Sequence, residues 1–189
     1  DQHSLDHESV RSLRSNLFGY RHGPRIVGLR LDLDSGSVSE NSESPVIPVI
    51  GGTGALGSGL AKRWAAGGAR VVIGSRDAGR AAEAAAKIAE ETGGTVEGMS
   101  NEDAAKAADI VFLTIPFRNQ SEYLTNLKGS LTEGQILVDC SVPLAAAISG
   151  KATRTIGVWQ GSAAEQAQEM VPDGVTVVSA LHTVSAPGL

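Results

Sequence analysis

Glycines are the residues of this chain best suited to chemistry. Gly52-Thr53-Gly54-Ala55-Leu56-Gly57 comes directly after the apolar run 46–50. A strand that feeds a Gly-x-Gly-x-x-Gly turn and then a helix is a device for holding a dinucleotide pyrophosphate. The first glycine permits the tight turn, the second lets the backbone approach the phosphates, and the third lets helix and strand pack closely. The phosphates then meet a helix N-terminus, where unpaired N–H groups and the helix dipole favour negative charge. Glycine-rich turns also recur without ligands, so the pattern gains its force from the elements on its C-terminal side. Residues 60–66 read as a short helix stopped by Gly67-Gly68, and Arg70-Val71-Val72-Ile73 reads as a buried parallel strand. Strand, turn, helix and strand within about 30 residues is the unit the fingerprint requires.

The end of the second strand discriminates between the two nicotinamide dinucleotides. An NAD site places an acidic residue there to accept hydrogen bonds from the ribose hydroxyls. This chain has Gly74-Ser75-Arg76 instead, with Arg80 four residues further on. A carboxylate would repel the 2′-phosphate of NADP, whereas a guanidinium binds it through charge-assisted hydrogen bonds. Ser75 adds a hydroxyl, and the spacing of Arg76 and Arg80 is one helical turn, so both can face one phosphate. The competing reading is a solvated basic helix start. Arginine there opposes the helix dipole, and a bound phosphate supplies the reason for it. NADP is the cofactor expected.

No constellation of acid, base or nucleophile accompanies this site, and no catalytic side chain is assigned. Cys140 is the single cysteine; with no histidine near it in sequence it reads as a buried structural thiol. Asp139 ends a strand without a partner and reads as a turn former. His3 and His7 have the spacing of two ligands on one helix face but lack a third, so no metal site is expected. A short-chain dehydrogenase would show Tyr-x-x-x-Lys, whereas Tyr123 is followed by Lys128, five residues on. Trp64 reads as core, and Trp159 as a loop aromatic that covers a ligand or packs.

Composition fits one ordinary domain. The chain has 189 residues, 41% hydrophobic and 20% charged, with a formal net charge of -5, and this gives no sign of a nucleic-acid or membrane-surface partner. A lone cysteine excludes an intramolecular disulfide and fits a cytoplasmic location. Residues 1–45 stand apart as a poorly ordered extension. They are rich in serine, with one candidate short strand at 26–31 and a polar linker at 35–44.

From 46 to 189 strands alternate with helices. Asp77 can cap a helix running to residue 91, closed by Gly93-Gly94; 95–99 is a weak strand, and a short helix starts at Asn101. Residues 110–115 form a strong strand ended by Pro116, then a helix over about 120–127, a strand at 136–140, a helix from Ser162 to 170 and a strand at 175–180. Pro48 is the irregularity: proline in a central strand removes a ladder hydrogen bond, so the entering strand must be very short or its junction atypical. The pattern predicts an α/β domain with a doubly wound parallel sheet, the Rossmann NAD(P)-binding fold.

These residues resemble the NADPH-dependent reductases of the deazaflavin coenzyme F-420. The matching stretches are 51–57, Gly74-Ser75-Arg76, Gly98-Met99-Ser100-Asn101-Glu102-Asp103-Ala104-Ala105, Leu113-Thr114-Ile115-Pro116 and Val177-Val178-Ser179-Ala180-Leu181-His182-Thr183. The last is far more discriminating than the glycine loop. The resemblance implies hydride transfer between NADP(H) and coenzyme F-420. It implies that Gly52, Thr53, Gly54, Ala55, Leu56 and Gly57 form the pyrophosphate loop, and that Ser75, Arg76 and Arg80 hold the 2′-phosphate. It further implies that Phe117 and Ser121 lie near the cofactor, that Val142 and Ala186 border the nicotinamide, and that His182 borders the deazaflavin. Cys140-Ser141 departs from the Pro-Leu common in the family. The family continues past the His-Thr stretch into a helical portion that forms a homodimer and closes the deazaflavin site, so this chain is expected to be truncated there. Two other readings keep the same NADP residues: a reductase of a flavin or metal acceptor, and a non-enzymatic NADP-binding module.

Overall fold

A computed structural model describes residues 44–151 and 153–189. The expected extension, with its 26–31 strand and the His3 and His7 pair, lies outside the described residues except for positions 44 and 45. Six strands alternate with five helices among the described residues: β1 (Val46–Ile50), α1 (Ala55–Ala66), β2 (Arg70–Ser75), α2 (Ala78–Thr92), β3 (Val96–Ser100), α3 (Asn101–Ala104), β4 (Ile110–Leu113), α4 (Gln120–Leu127), β5 (Ile136–Asp139), α5 (Ala163–Met170) and β6 (Thr176–Ser179). All pairings are parallel and the order is β3-β2-β1-β4-β5-β6. This is the Rossmann order, with its switch point between β1 and β4.

Alternation along the strands builds a core on each face. Val49, Val71 and Ile73 point to one side and pack with Ala61 and Ala65 of α1 and Ala81 and Ile88 of α2. Ile50, Val72, Val111, Leu113 and Leu137 point to the other and pack with Leu124 and Leu127 of α4 and Ala167 of α5. Trp64 of α1 lies against Phe112 of β4 with ring centroids 4.7 Å apart, joining the first face as expected of a core aromatic. Each fully buried Leu or Ile contributes roughly 1.5–3 kcal/mol, so both faces bind the helices to the sheet.

Helix starts obey local chemistry at three places. Asp77 accepts hydrogen bonds from the Gly79 and Arg80 N–H groups, Ser100 from Asp103, and Ser162 from Glu165. These side chains satisfy donors a helix N-terminus leaves open. α1 begins differently. Its N-cap is Gly54, with no side-chain cap and no acidic residue in the first turn. It also starts at Ala55, five residues before the expected position at 60.

Pro48 lies at the middle of β1, which pairs with β2 along all five residues, Val46 to Ile50. Thr114 N–H donates to the Ile50 carbonyl at 3.0 Å, so the backbone polar groups of residues 48 and 50 face β4. On that side pairing is confined to Val49–Phe112 and Ile50–Leu113. The strand is therefore regular toward β2 and short toward β4, and the missing proline donor falls where the β1–β4 ladder has not yet begun.

The glycine turn is set by close contact. Gly51, just before the six-residue motif, has φ +72°, and a Cβ there would stand 2.5 Å from Ile115 Cγ2. The tight turn thus belongs to Gly51 and not, as expected, to Gly52, which is needed for space: its Cβ would lie 2.9 Å from the Val49 carbonyl oxygen. At Gly57 a Cβ would meet Thr114 Oγ1 at 2.5 Å and Gly52 Cα at 2.7 Å. Gly57→Ala should therefore cost about 2 kcal/mol of stability in urea denaturation, because the turn backbone at Gly51 and Gly52 and the buried Thr114 hydroxyl must both move; a loss below about 0.5 kcal/mol would show that the turn yields easily.

Candidate functional site

The uncapped end of α1 opens on a cleft of about 520 Å³. Gly54, Ala55 and Leu56 form one side, Thr114 to Arg118 after β4 a second, and Cys140, Val142, Leu144 and Ala146 after β5 a third. Ala186 closes the remaining side. It is carried there by the segment after β6, which turns at Leu181 (φ +64°) and returns to α1, where Arg63 donates to the Gly188 carbonyl at 2.9 Å. The cleft thus lies beyond the carboxyl ends of the strands at the switch point, the site where open α/β sheets bind ligands.

Six of the expected residues converge here: Gly54, Ala55, Leu56, Phe117, Val142 and Ala186. Gly52 and Gly57 are buried beneath the turn and shape it without lining the cleft, and Thr53 is half-buried beside them. Free N–H donors at the start of α1 and a largely apolar far wall suit a ligand with an anionic middle and a flat ring at one end.

The ribose corner is arranged differently from the expectation of two arginines on one helical turn. Asp77 is the N-cap of α2, so Arg76 stands outside the helix and Arg80 within its first turn. Arg76 reaches α4 instead, with Nη1 3.8 Å from Glu122 Oε1 and its guanidinium 5.6 Å from the centre of the Tyr123 ring. Both arginines are exposed. Ser75 is buried, and its hydroxyl accepts from the Asp77 N–H at 3.3 Å. Asp77 is thereby turned into the helix start, which leaves the strand end without the outward carboxylate of an NAD site.

Ser121 and His182 are not among the cleft-lining residues. Ser121 faces α5, its hydroxyl 3.4 Å from Gln166 Nε2. His182 is exposed in the turn after β6, near Asp139. Trp159 neither covers the cleft nor packs, for it is 99% exposed.

A buried polar cluster behind the cleft carries no local sequence signature. Asp139, with no exposed surface, accepts from the Ser141 N–H at 3.0 Å and from Gln120 Nε2 at 2.9 Å. Burial pushes its carboxyl above the ordinary range, and the Ser141 hydrogen bonds oppose that shift. The lone turn former expected from sequence is in fact a fully partnered group. Asn101, buried at the exit of β3, places Oδ1 3.4 Å from the Gly51 N–H and so braces the glycine turn from the side.

The fold and this cleft define a Rossmann NAD(P)-binding domain. Residues 46–143 match the family described as NADP oxidoreductase, coenzyme F420-dependent, and the chain belongs to that family. It is 44% identical over 147 residues to the F420-dependent NADP reductase of Methanothermobacter thermautotrophicus, covering 76% of this chain and 63% of the relative. The corresponding reductase of Methanocaldococcus jannaschii is 40% identical over 143 residues, covering 73% and 63%. A crystal structure from Arthrobacter sp. FB24, provisionally described as an F420-dependent NADP reductase, superposes with a TM-score of 0.63 at 28% identity, covering 77% of this chain and 65% of that one. The chain spans somewhat less than two thirds of the length of these curated relatives. Among the described residues no helix is long and apolar enough to cross a membrane, and no group of three or more His, Cys, Asp or Glu side chains could hold a metal ion.

Cys140 lies on the cleft wall, but burial, with Asp139 adding to it, pushes its thiol up to about 12. A thiol reagent at pH 8 should modify it at least about 100-fold more slowly in the native chain than in the urea-unfolded chain, since the thiolate is the reactive form. Comparable rates in the two states would show an accessible, ionisable thiol.

Proposed function

We propose that this domain binds NADP(H) with its pyrophosphate on the N-terminus of α1 and its nicotinamide in the cleft, and takes part in hydride exchange with coenzyme F-420. The observation that carries this reading is the junction of an uncapped helix start, Gly54 to Leu56, with the cleft walls at Phe117, Val142 and Ala186. Relatives named as F420-dependent NADP reductases support the choice of acceptor. Ser75, Arg76 and Arg80 hold the 2′-phosphate, while Asp77 is engaged as a helix cap. Gly52, Thr53 and Gly57 support the loop, Ser121 lies near the cofactor through α4, and His182 borders the deazaflavin side.

The two coenzymes supply the chemistry: one carries the hydride and the other receives it. The protein's task is to bring donor and acceptor carbons to about 3–3.5 Å and to exclude water. No side chain of the cleft is needed as a nucleophile, which agrees with the apolar wall and the protonated state of Cys140. Residues 46–189 are the NADP-binding unit in this reading and 1–45 an extension. The working protein is a cytoplasmic homodimer whose partners are small coenzymes and not nucleic acid.

Arg76→Ala should weaken NADPH binding about 10- to 100-fold by calorimetry and leave NADH within about 2-fold, because only NADPH carries the phosphate a guanidinium recognises. Equal losses for both would refute the 2′-phosphate assignment. For the reaction, decay of the oxidised coenzyme F-420 absorbance is monitored with NADPH and this chain, beside a relative of full family length as reference. Decay with the reference is the expected result, and decay with this chain as well would show that residues 46–189 suffice for the transfer. Decay with the reference alone, under saturating NADPH, would assign this chain binding without transfer.

A further inference from the structure

Gln120 has no exposed surface and occupies the first position of α4, two residues after the last of the cleft residues Pro116, Phe117 and Arg118. Burying an amide is unfavourable unless its groups are partnered, and those of Gln120 are. Nε2 lies 2.9 Å from Asp139 Oδ2, 3.0 Å from Ser141 Oγ and 3.0 Å from the Ala163 carbonyl oxygen. Oε1 accepts from Gln166 Nε2 at 2.7 Å. One side chain therefore touches the exit of β5, the start of α5 and the body of α5. Ser141 in turn closes on Asp139 through both its N–H, at 3.0 Å, and its hydroxyl, at 3.1 Å.

The position of this clasp is informative. The chain leaves the sheet at Asp139, and the next residues, Cys140 and Val142, are already cleft wall. That wall has no strand beside it except a single bridge between Leu144 and Thr155. Its starting point is held by the Cys140 N–H, which donates to the Leu113 carbonyl at 3.1 Å, and by the side chain of Gln120, whose own backbone continues the opposite wall. The side chain is a strut between the two.

We infer that Gln120 is a positioning residue for the nicotinamide end of the cofactor, holding the Phe117 wall and the Val142 wall at a fixed separation through its buried bonds to Asp139 and Ser141. This rests on the reading of the cleft as the NADP site. Gln120 does not line the cleft and touches no reacting atom; it acts through the residues it ties together.

The test uses two ligands that share the phosphate end: NADPH, and 2′-phospho-ADP-ribose, which lacks the nicotinamide. Calorimetry is run on the unaltered chain, on Gln120→Leu and on Ser141→Ala, which removes one arm of the clasp and keeps the fold if the larger change does not. NADPH should bind about 10-fold more weakly to Gln120→Leu and about 3-fold more weakly to Ser141→Ala, with 2′-phospho-ADP-ribose within about 2-fold throughout. Equal weakening of both ligands in the folded variants, or no weakening of either, would overturn the inference and reduce Gln120 to a stabilising residue. If Gln120→Leu does not fold, Ser141→Ala alone decides by the same comparison. Failure of the unaltered chain to prefer NADPH over NADH would instead remove the NADP reading, and the inference with it.

Discussion

Three stretches of backbone, the end of β1, the first turn of α1 and the exit of β4, meet at Gly51, Gly52 and Gly57 with no room for a methyl group. The α1 side of the cleft depends on that approach. With Thr114 bonded to the Ile50 carbonyl at 2.9 Å, the β4 exit is fixed against the turn, and the start of α1 is brought to the mouth of the cleft. A side chain at any of these glycines would push the helix away from the strand ends and withdraw its free N–H groups from the ligand. The absence of a capping side chain belongs to the same arrangement. A cap on α1 would fill the donors that an anion requires, whereas at α2, α3 and α5 side chains already occupy donors of the first turn.

The two ends of the cleft are held by different means. The end at α1 is closed by glycines packed without room for a Cβ, and its precision comes from steric exclusion. The other end is built from irregular chain after β4 and β5, where the ladder has stopped and no glycine contact supplies a limit. There the structure uses a dehydrated set of hydrogen bonds among Gln120, Asp139, Ser141 and Gln166. Such a set is directional and costly to leave unsatisfied, so it specifies one arrangement of the walls over nearby ones.

Most of the fold was legible in the sequence because hydrophobic alternation and cap residues are local signals. Asp77 and Ser162 marked their helices, and the apolar runs marked every strand, to within a residue or two at most ends. The start of α1 was not legible. Gly57 and Gly59 read as loop by propensity, yet both lie within α1, and each must be glycine because a neighbour sits where a Cβ would be: Thr114 against Gly57 and Leu189 against Gly59. Tertiary contact overrides propensity there. The glycine loop, Phe117, Val142 and Ala186 could be brought to one site from sequence and family resemblance. The direction of Arg76 toward α4 could not, because it depends on Glu122 and Tyr123 on a distant helix. Gln120 and Asp139 are nineteen residues apart and share no periodic pattern, so nothing local announces their pairing.

Cys140 carries a consequence for durability. A sulfur on the wall of an open cleft is ordinarily a liability, since an ionised thiol is attacked by peroxide and climbs toward sulfenic and sulfinic acids. Here the sulfur is packed into the wall with its proton retained, its pKa raised to about 12 by burial and by the carboxylate next to it. It serves as a small apolar surface and offers oxidants very little of the anion they attack, so the pocket gains a close-fitting atom without a weak point toward oxidative damage.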